Sequence, residues 1–360
     1  MQKNHSDITL EIDLGAIKHN YNCLRSLAGK AKCASVVKAN AYGLGVKKVA
    51  PLLYSAECRD FFVATADEAL ELVKIIPPDA KIYVFHGVKK GEENDLAEHN
   101  IIPVINDFYQ LEVWAHKAKV EDLVLPAILH FDTGMNRLGF NWNEAKKVSL
   151  NDGLRFLDVK YVMSHLSSAD EKESEQNTIQ LKRMNEVRKH FPKASVSLSN
   201  SWGTLGEKCY HFDMVRPGCA LYGVKGNSTA GIKNVVTAKA KILQIREVTE
   251  DGFVGYGATK AVKAGAKLAV VPLGYADGYL RSLSNNSYAF LREREFPLVG
   301  RVSMDLTVFD ISAATKIKVG DELELIGNNY PVDEIAKNAG TIGYEILTNL
   351  GSRYNRVYKS

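Results

Sequence analysis

Residues 61–86 read FFVATADEALELVKIIPPDAKIYVFH. The segment opens and closes on short runs of aromatic and β-branched residues, 61–64 and 82–86, and between them residues 66–75 carry apolar side chains at helical spacing. That order predicts strand, helix, strand, and a helical crossover brings the second strand back parallel to the first. The same unit recurs outward in both directions. Further β-rich runs lie at 34–38, 102–105, 126–131, 160–165, 195–199 and 213–216, with helical patterning over 107–117 and 171–191, which makes eight runs in all. Eight β-α units close most simply into a parallel (β/α)8 TIM-type barrel of the α/β class.

Beyond about residue 235 the texture changes. Strand-like runs at 241–247, 267–272, 296–309 and 321–326 follow one another through glycine-containing turns without a long helix, which predicts a C-terminal mostly-β domain. The expected division is 1–234 for the barrel domain and 235–360 for the β domain. Residues 8–13, ITLEID, alternate like a half-buried strand ahead of the first barrel unit, which leaves them able to pair with the C-terminal domain.

Charge narrows the partners. Lys and Arg number 46 against 42 Asp and Glu, a formal net charge of +4 without long single-sign runs, so no electrostatic argument favours nucleic acid or a membrane surface. A small, anionic ligand suits the chain better. Asp7, Glu11 and Asp13 stand where a signal peptide would be apolar, and no run approaches about 18 apolar residues, so a cytoplasmic protein is expected. The five cysteines form no CxxC pair and the histidines no HExxH spacing, so neither a disulfide framework nor a metal site is expected.

In a (β/α)8 barrel the chemistry collects at the C-terminal ends of the strands, with phosphate near the last two. Here Lys38 ends the first run, His130 and Asp132 close the fifth, His165 ends the sixth, Asn200 and Ser201 follow the seventh and Arg216 ends the eighth. A lysine closing an apolar strand is costly to bury as an ammonium, and the surroundings that lower its pKa make it a good Schiff-base former. Outside such a rim it would read as a snorkelling surface lysine.

The segment VVKANAYGLG at 36–45 is followed in order by FDTGMNRLGF at 131–140, SHLSSAD at 164–170, DMVRPGCALYG at 213–223, GYADGY at 274–279 and VGRVSMDLTVFD at 299–310. Taken together, these six segments resemble the alanine racemase family over nearly the whole chain. The resemblance implies a pyridoxal 5'-phosphate enzyme that interconverts L- and D-alanine by a two-base mechanism, supplies D-alanine for peptidoglycan, and works as a homodimer with shared active sites. It implies that Lys38 carries the cofactor as a Schiff base and is one catalytic base. Tyr275 of the partner subunit is the other, assisted by His165, which in turn contacts Arg216.

It further implies that Tyr42, Ser201 and the backbone N–H groups of Gly218 and Cys219 hold the cofactor phosphate, with Asn200 beside them. Arg216 faces the pyridine nitrogen. An arginine does not surrender its proton there, so that nitrogen stays unprotonated and the ring is a weaker electron sink, which disfavours transamination. Arg137 reaches the cofactor's phenolic oxygen and the substrate carboxylate, and the partner's Met304 N–H binds the same carboxylate. Without the motifs, His165 and Tyr275 would read as ordinary strand-end and turn residues, Arg216 as an ion-pair member and Met304 as core.

Two positions depart from the family pattern. Many members carry, two residues before the Asp of DTGM, a lysine whose carbamate orients the arginine, and here that position is His130. An imidazole cannot carry that carbamate, so either a bound anion such as chloride takes its place or His130 and ordered water position Arg137. Where some members place a phosphate-binding tyrosine, Ser352 aligns, with Tyr354 two residues on. Three other readings stay open: a decarboxylase on the same scaffold, a racemase of serine or a broader amino-acid range, and a non-catalytic pyridoxal-phosphate binder. No cysteine beyond Cys219 offers the decarboxylases' C-terminal motif, and GYADGY with SMD argues against the binder.

Overall fold

The computed structural model describes residues 6–226, 228 and 230–360 and divides into two compact units. The larger runs from Lys18 to Leu221 and holds a circle of parallel strands. Its first strand comes in two pieces, Lys32–Cys33 and Ser35–Val36, either side of Ala34. The first piece pairs with Met214–Val215 and the second with Asp60–Val63, so the circle is joined through Ala34. Between them run Lys81–Val84, Ile102–Ile105, Leu125–Asp132, Leu157–Met163 and Ser195–Ser197, every pairing parallel. All eight expected runs are strands of this barrel.

The strands read as near-continuous apolar runs because both faces are covered. Ala34, Val36, Phe62, Tyr83, Ile102, Val104, Ile128, Tyr161, Met163 and Met214 fill the interior as one buried cluster, against which Tyr42 and Phe85 pack. Helices form where caps and patterning agree. Thr65 accepts the Glu68 N–H at the start of Ala66–Val73, and Asp107 accepts the Gln110 N–H at the start of Phe108–Val120. The long polar helix Glu175–Lys189 buries a polar stripe, Asn177 and Gln180, alongside Met184 and Val187.

The second unit gathers Tyr222–Gly226 and Lys233–Ser360 with the residues up to Ile17. Ile8–Asp13 is an inner strand of its six-stranded sheet, antiparallel to Val236–Lys241 and parallel to Asn355–Lys359, with Ile8, Leu10 and Ile12 buried. The compact barrel unit begins at Lys18, and the N-terminal strand has its ladder partners in the other unit. A three-stranded sheet of Gln244–Glu247, Lys267–Val271 and Thr307–Asp310 and a hairpin of Gly252–Val254 with Lys260–Val262 complete the β structure. Two short helices, Val332–Ala339 and Gly343–Asn349, follow the strand Glu322–Ile326 in this mostly-β unit.

The run 296–309 is two strands, Arg294–Pro297 and Thr307–Asp310, separated by a loop. Gly300 turns the chain there at φ 84°, and Ser303 Oγ donates to Leu306 O at 2.6 Å, so the apolar pattern continues where the ladder does not. Among the described residues no helix is long and apolar enough to cross a membrane.

Candidate active site

On the barrel, Lys38 follows the first strand directly and the backbone then turns left-handed. Ala39, Asn40 and Ala41 lie at φ 51°, 54° and 55° with ψ near 50°, and Tyr42 follows at φ 54°. Such a run costs an L-residue chain ~1–2 kcal/mol per residue, so it persists only where surrounding contacts compel it. Glu68 supplies two of them, accepting the Ala39 N–H at 2.6 Å and the Ala64 N–H at 2.8 Å with its two carboxylate oxygens. Asn40 Oδ1 accepts the Val46 N–H at 2.8 Å and closes the far side of the turn. Lys38 is half-buried, its Nζ 5.7 Å from the centre of the Phe85 ring. Burial, reinforced by the charge of Arg137, lowers its pKa below the usual lysine value.

On the neighbouring strand end, Arg216 follows the last strand, which pairs with the first, and is 2 % exposed. Its Nη1 donates to Ser197 Oγ, its Nη2 donates to Ser164 O at 2.7 Å, and Nη2 lies 3.5 Å from His165 Nδ1. Its Nε is buried without a hydrogen-bond partner. Burial lowers the guanidinium pKa to about 9, which leaves it a cation and a donor near neutrality. His165 is held between that guanidinium and Asn200, whose Nδ2 lies 3.5 Å from His165 Nε2 and donates to Leu166 O at 3.1 Å. Burial and the Arg216 charge push the His165 pKa well below its ordinary value, so the ring is neutral.

Beside Arg216, the Oγ of Ser201 accepts the N–H groups of Gly218 at 2.8 Å and Ala220 at 3.2 Å. A β-carbon at position 218 would fall inside the radius of the Tyr42 hydroxyl and 3.0 Å from Tyr42 Cζ. Tyr42, Ser201, Gly218 and the buried Cys219 are thereby brought to one corner of the rim.

Arg137 stands exposed on the loop after the fifth strand. Asp132 Oδ1 accepts the N–H groups of Gly134, Met135 and Asn136 at 2.8, 2.8 and 3.1 Å, while Arg183 and Gln176 hold the carbonyls of Thr133 and Gly134. Asp132 is therefore the loop's anchor. His130, two residues earlier, is buried with its Nδ1 2.7 Å from Asn106 Oδ1. Glu68, Asn106 and Gln180 went unmarked in the sequence reading. Asn106 follows its strand at the rim, where the strand-end rule reaches it, whereas Gln180 lies in a charged helix yet donates to His165 O at 2.8 Å.

The remaining expected residues lie in the second unit. Tyr275 and Met304 are 42 % and 53 % exposed on two turns bound to each other: Tyr275 N donates to Ser303 O and Ala276 N to Met304 O, both at 3.1 Å. Gly274 permits this approach, since a β-carbon there would collide with the carbonyls of Ser303 and Met304. The turn is pinned by Asp277, fully buried, which accepts from Gly274 N at 3.0 Å and from Arg353 Nε and Nη2 at 2.6 and 2.7 Å. Ser352 is exposed on the adjoining strand of chain, where Gly351 N donates to Asp277 O at 3.1 Å.

The barrel and its rim define an enzyme class: a (β/α)8 protein that sets a desolvated amine and a buried guanidinium on neighbouring strand ends, with the Ser201 and Gly218 corner beside them. Comparison narrows it further. Residues 12–226 match the model of the alanine racemase N-terminal domain and residues 235–358 that of the C-terminal domain. Alanine racemase of Rickettsia canadensis is 41% identical over 353 residues, covering 97% of this chain and 98% of its own. The crystal structure of alanine racemase from Bartonella henselae with covalently bound pyridoxal phosphate superposes with a TM-score of 0.94 at 37% identity, covering 98% of this chain and 99% of that one. That of biosynthetic alanine racemase from Pseudomonas aeruginosa gives 0.89 at 32% identity, covering 98% and 99%. The chain belongs to the alanine racemase family, the pyridoxal-phosphate-dependent racemases of alanine.

Proposed function

We propose that this chain interconverts L- and D-alanine by transferring the α-proton between two bases, with pyridoxal 5'-phosphate at the barrel rim and Tyr275 of the partner subunit completing each site of a homodimer. The observation that carries the reading is Arg216, a buried cation whose Nη groups are engaged and whose Nε is not. The residues fit the cofactor. An N–H donor at Nε suits an aromatic nitrogen that can only accept, and at the Gly218 corner the Ser201 hydroxyl, which accepts from the amides, has its own proton to give to a phosphate beside the Tyr42 hydroxyl. When bound, pyridoxal phosphate withdraws electrons from the substrate α-carbon and acidifies its proton.

The chain's own residues do the rest. Lys38 Nζ would hold the cofactor and is disposed by its lowered pKa to take or return a proton on one face of the α-carbon. The partner's Tyr275 serves the other face through its phenolic oxygen, with neutral His165 as the group that assists it. Arg137 and the backbone N–H of the partner's Met304 bind the substrate carboxylate, fixing the α-carbon between the bases. Arg216 keeps its proton and would donate to the cofactor's ring nitrogen, which would then stay unprotonated, a setting that disfavours transamination. Asn200 orients His165, and Ser352 is the C-terminal unit's donor toward phosphate.

Sharing between subunits is supported by exposure. Tyr275 and Met304 stand exposed on the second unit with Phe253, Tyr256 and Leu306, large apolar side chains that a second copy would cover. In this reading the enzyme works in the cytoplasm and its D-alanine feeds peptidoglycan synthesis. The test is to incubate cofactor-loaded protein with L-alanine and a panel of other L-amino acids and quantify D-isomers by chiral chromatography. D-alanine as the dominant product is expected, and a faster reaction with another amino acid, or none with alanine, overturns the substrate.

A further inference from the structure

Beneath the Arg137 loop lies a chain of buried amides that the mechanism above leaves unused. Asn106 follows the strand Ile102–Ile105, and its Nδ2 donates to Val104 O at 2.8 Å and Phe85 O at 3.0 Å. Two carbonyls on that side identify it as the NH2 end, so the other end is the oxygen. That oxygen lies 2.7 Å from His130 Nδ1. Two acceptors do not approach so closely, hence Nδ1 carries a proton.

Gln110 repeats the logic one step back. Its Nε2 donates to His86 O at 2.9 Å, which leaves Oε1 to accept Asn106 N at 2.9 Å and Asn106 Nδ2 at 3.2 Å. Gln110 is itself fixed in the first turn of Phe108–Val120, where Asp107 caps it, and a β-carbon on Gly87 would collide with its Oε1. No member of the chain is free to turn over.

The charged groups facing His130 are the guanidiniums of Arg216 and Arg137 and the carboxylate of Asp132. Burial and the two cations push its pKa down to about 3, so the ring holds one proton near neutrality, the one on Nδ1. Nε2 is therefore a bare lone pair. Arg137, for its part, makes no hydrogen bond and no ion pair among the described residues.

We propose that the Gln110–Asn106 pair locks His130 as the Nδ1–H tautomer, leaving Nε2 to accept from the Arg137 guanidinium when that side chain turns in to bind the substrate carboxylate. His130 is a positioning residue acting through Arg137, and this assignment rests on reading Arg137 as the carboxylate-binding group. The same lock disfavours an anion such as chloride between the two side chains, since a lone pair rather than an N–H would face it.

The test uses holoprotein labelled with 15N-histidine. Nine histidines share the spectrum, so His130→Gln identifies the signal. Near neutral pH a protonated Nδ1 and an unprotonated Nε2 are expected, with the preference lost in Asn106→Leu. An Nε2–H tautomer or an imidazolium at His130 in the unsubstituted protein overturns the lock, whether or not Asn106→Leu folds.

The coupling to Arg137 is read by titrating the holoprotein with acetate, a carboxylate that needs no turnover, in chloride-free buffer and again with chloride. His130→Ala is expected to weaken acetate binding about tenfold, the loss of one hydrogen bond to a charged group. The effect should disappear in an Arg137→Lys background and be partly recovered by His130→Gln, whose amide oxygen is again an acceptor. Equal losses in both backgrounds, or acetate affinity that depends on chloride, overturn the positioning role. A protein that binds acetate as expected but does not racemise alanine refutes the reaction and leaves this assignment standing.

Discussion

The α-carbon of Gly218 lies directly against the hydroxyl of Tyr42, joining the eighth strand's loop to the turn after the first strand. No positive φ accounts for the glycine, so the constraint is space alone. Gly218→Ala should displace the Tyr42 hydroxyl and weaken pyridoxal-phosphate binding by about 10-fold or more, the worth of a hydrogen bond to a charged group. Fluorescence titration of the cofactor-free protein measures it. Adding Tyr42→Phe should cost little further, and additive losses would contradict a shared cause.

Division of the site between subunits predicts complementation. Lys38→Ala and Tyr275→Phe homodimers should each lose nearly all activity, while mixed subunits should regain it, because each heterodimer keeps one intact site. Persistent inactivity after subunit exchange has been demonstrated by mass spectrometry would exclude sharing.

His130 predicts an acid limb in stability. Its pKa falls to about 3 in the folded chain, whereas an unfolded histidine titrates near 6.5. Between those values the unfolded chain binds a proton that the folded chain does not, so stability is full above about pH 6.5 and declines as the pH falls. His130→Gln removes this contribution. Its melting temperature should fall less steeply than the unsubstituted protein's between pH 6.5 and 4, and parallel profiles would refute the assignment.

Arg353 predicts a local effect on the Tyr275 turn. Asp277 is fully buried and Arg353 supplies two of its donors, though the arginine itself is half exposed. Arg353→Ala should destabilise the C-terminal unit by about 2 kcal/mol, at the modest end for a broken buried pair because solvent reaches the arginine. Hydrogen exchange at Gly274 and Tyr275 should rise, and unchanged protection there would separate Arg353 from the Tyr275 turn.

Much of the barrel was legible because strands buried on both faces spell continuous apolar runs, and the strand-end rule then pointed to Lys38, His165 and Arg216. The left-handed turn was not, since Ala39, Asn40 and Ala41 include no glycine and the handedness depends on Glu68, 29 residues beyond Ala39. Nor was the break between Pro297 and Thr307, where the regular ladder gives way to a single bridge between Leu298 and Phe309. Tyr275 and Met304 carry no periodic signal at all, and only the motif resemblance marked them. Gln180 and Asn106 act through buried contacts that no local pattern encodes.

The joint at Ala34 has a consequence for how the protein is made. Cys33 pairs with Val215, so the ring is sealed by the last barrel strand to leave the ribosome, and Lys38 faces its completed rim only then. A nascent chain stopped before residue 215 carries the amine but neither the guanidinium nor the corner around Gly218. Such long-range closure is slow, and the open sheet meanwhile shows two unpaired edges. The complete rim is thereby assembled only when synthesis of the barrel is finished, and a product truncated before residue 215 would keep Lys38, Tyr42 and Ser201 but lack Arg216 and Gly218.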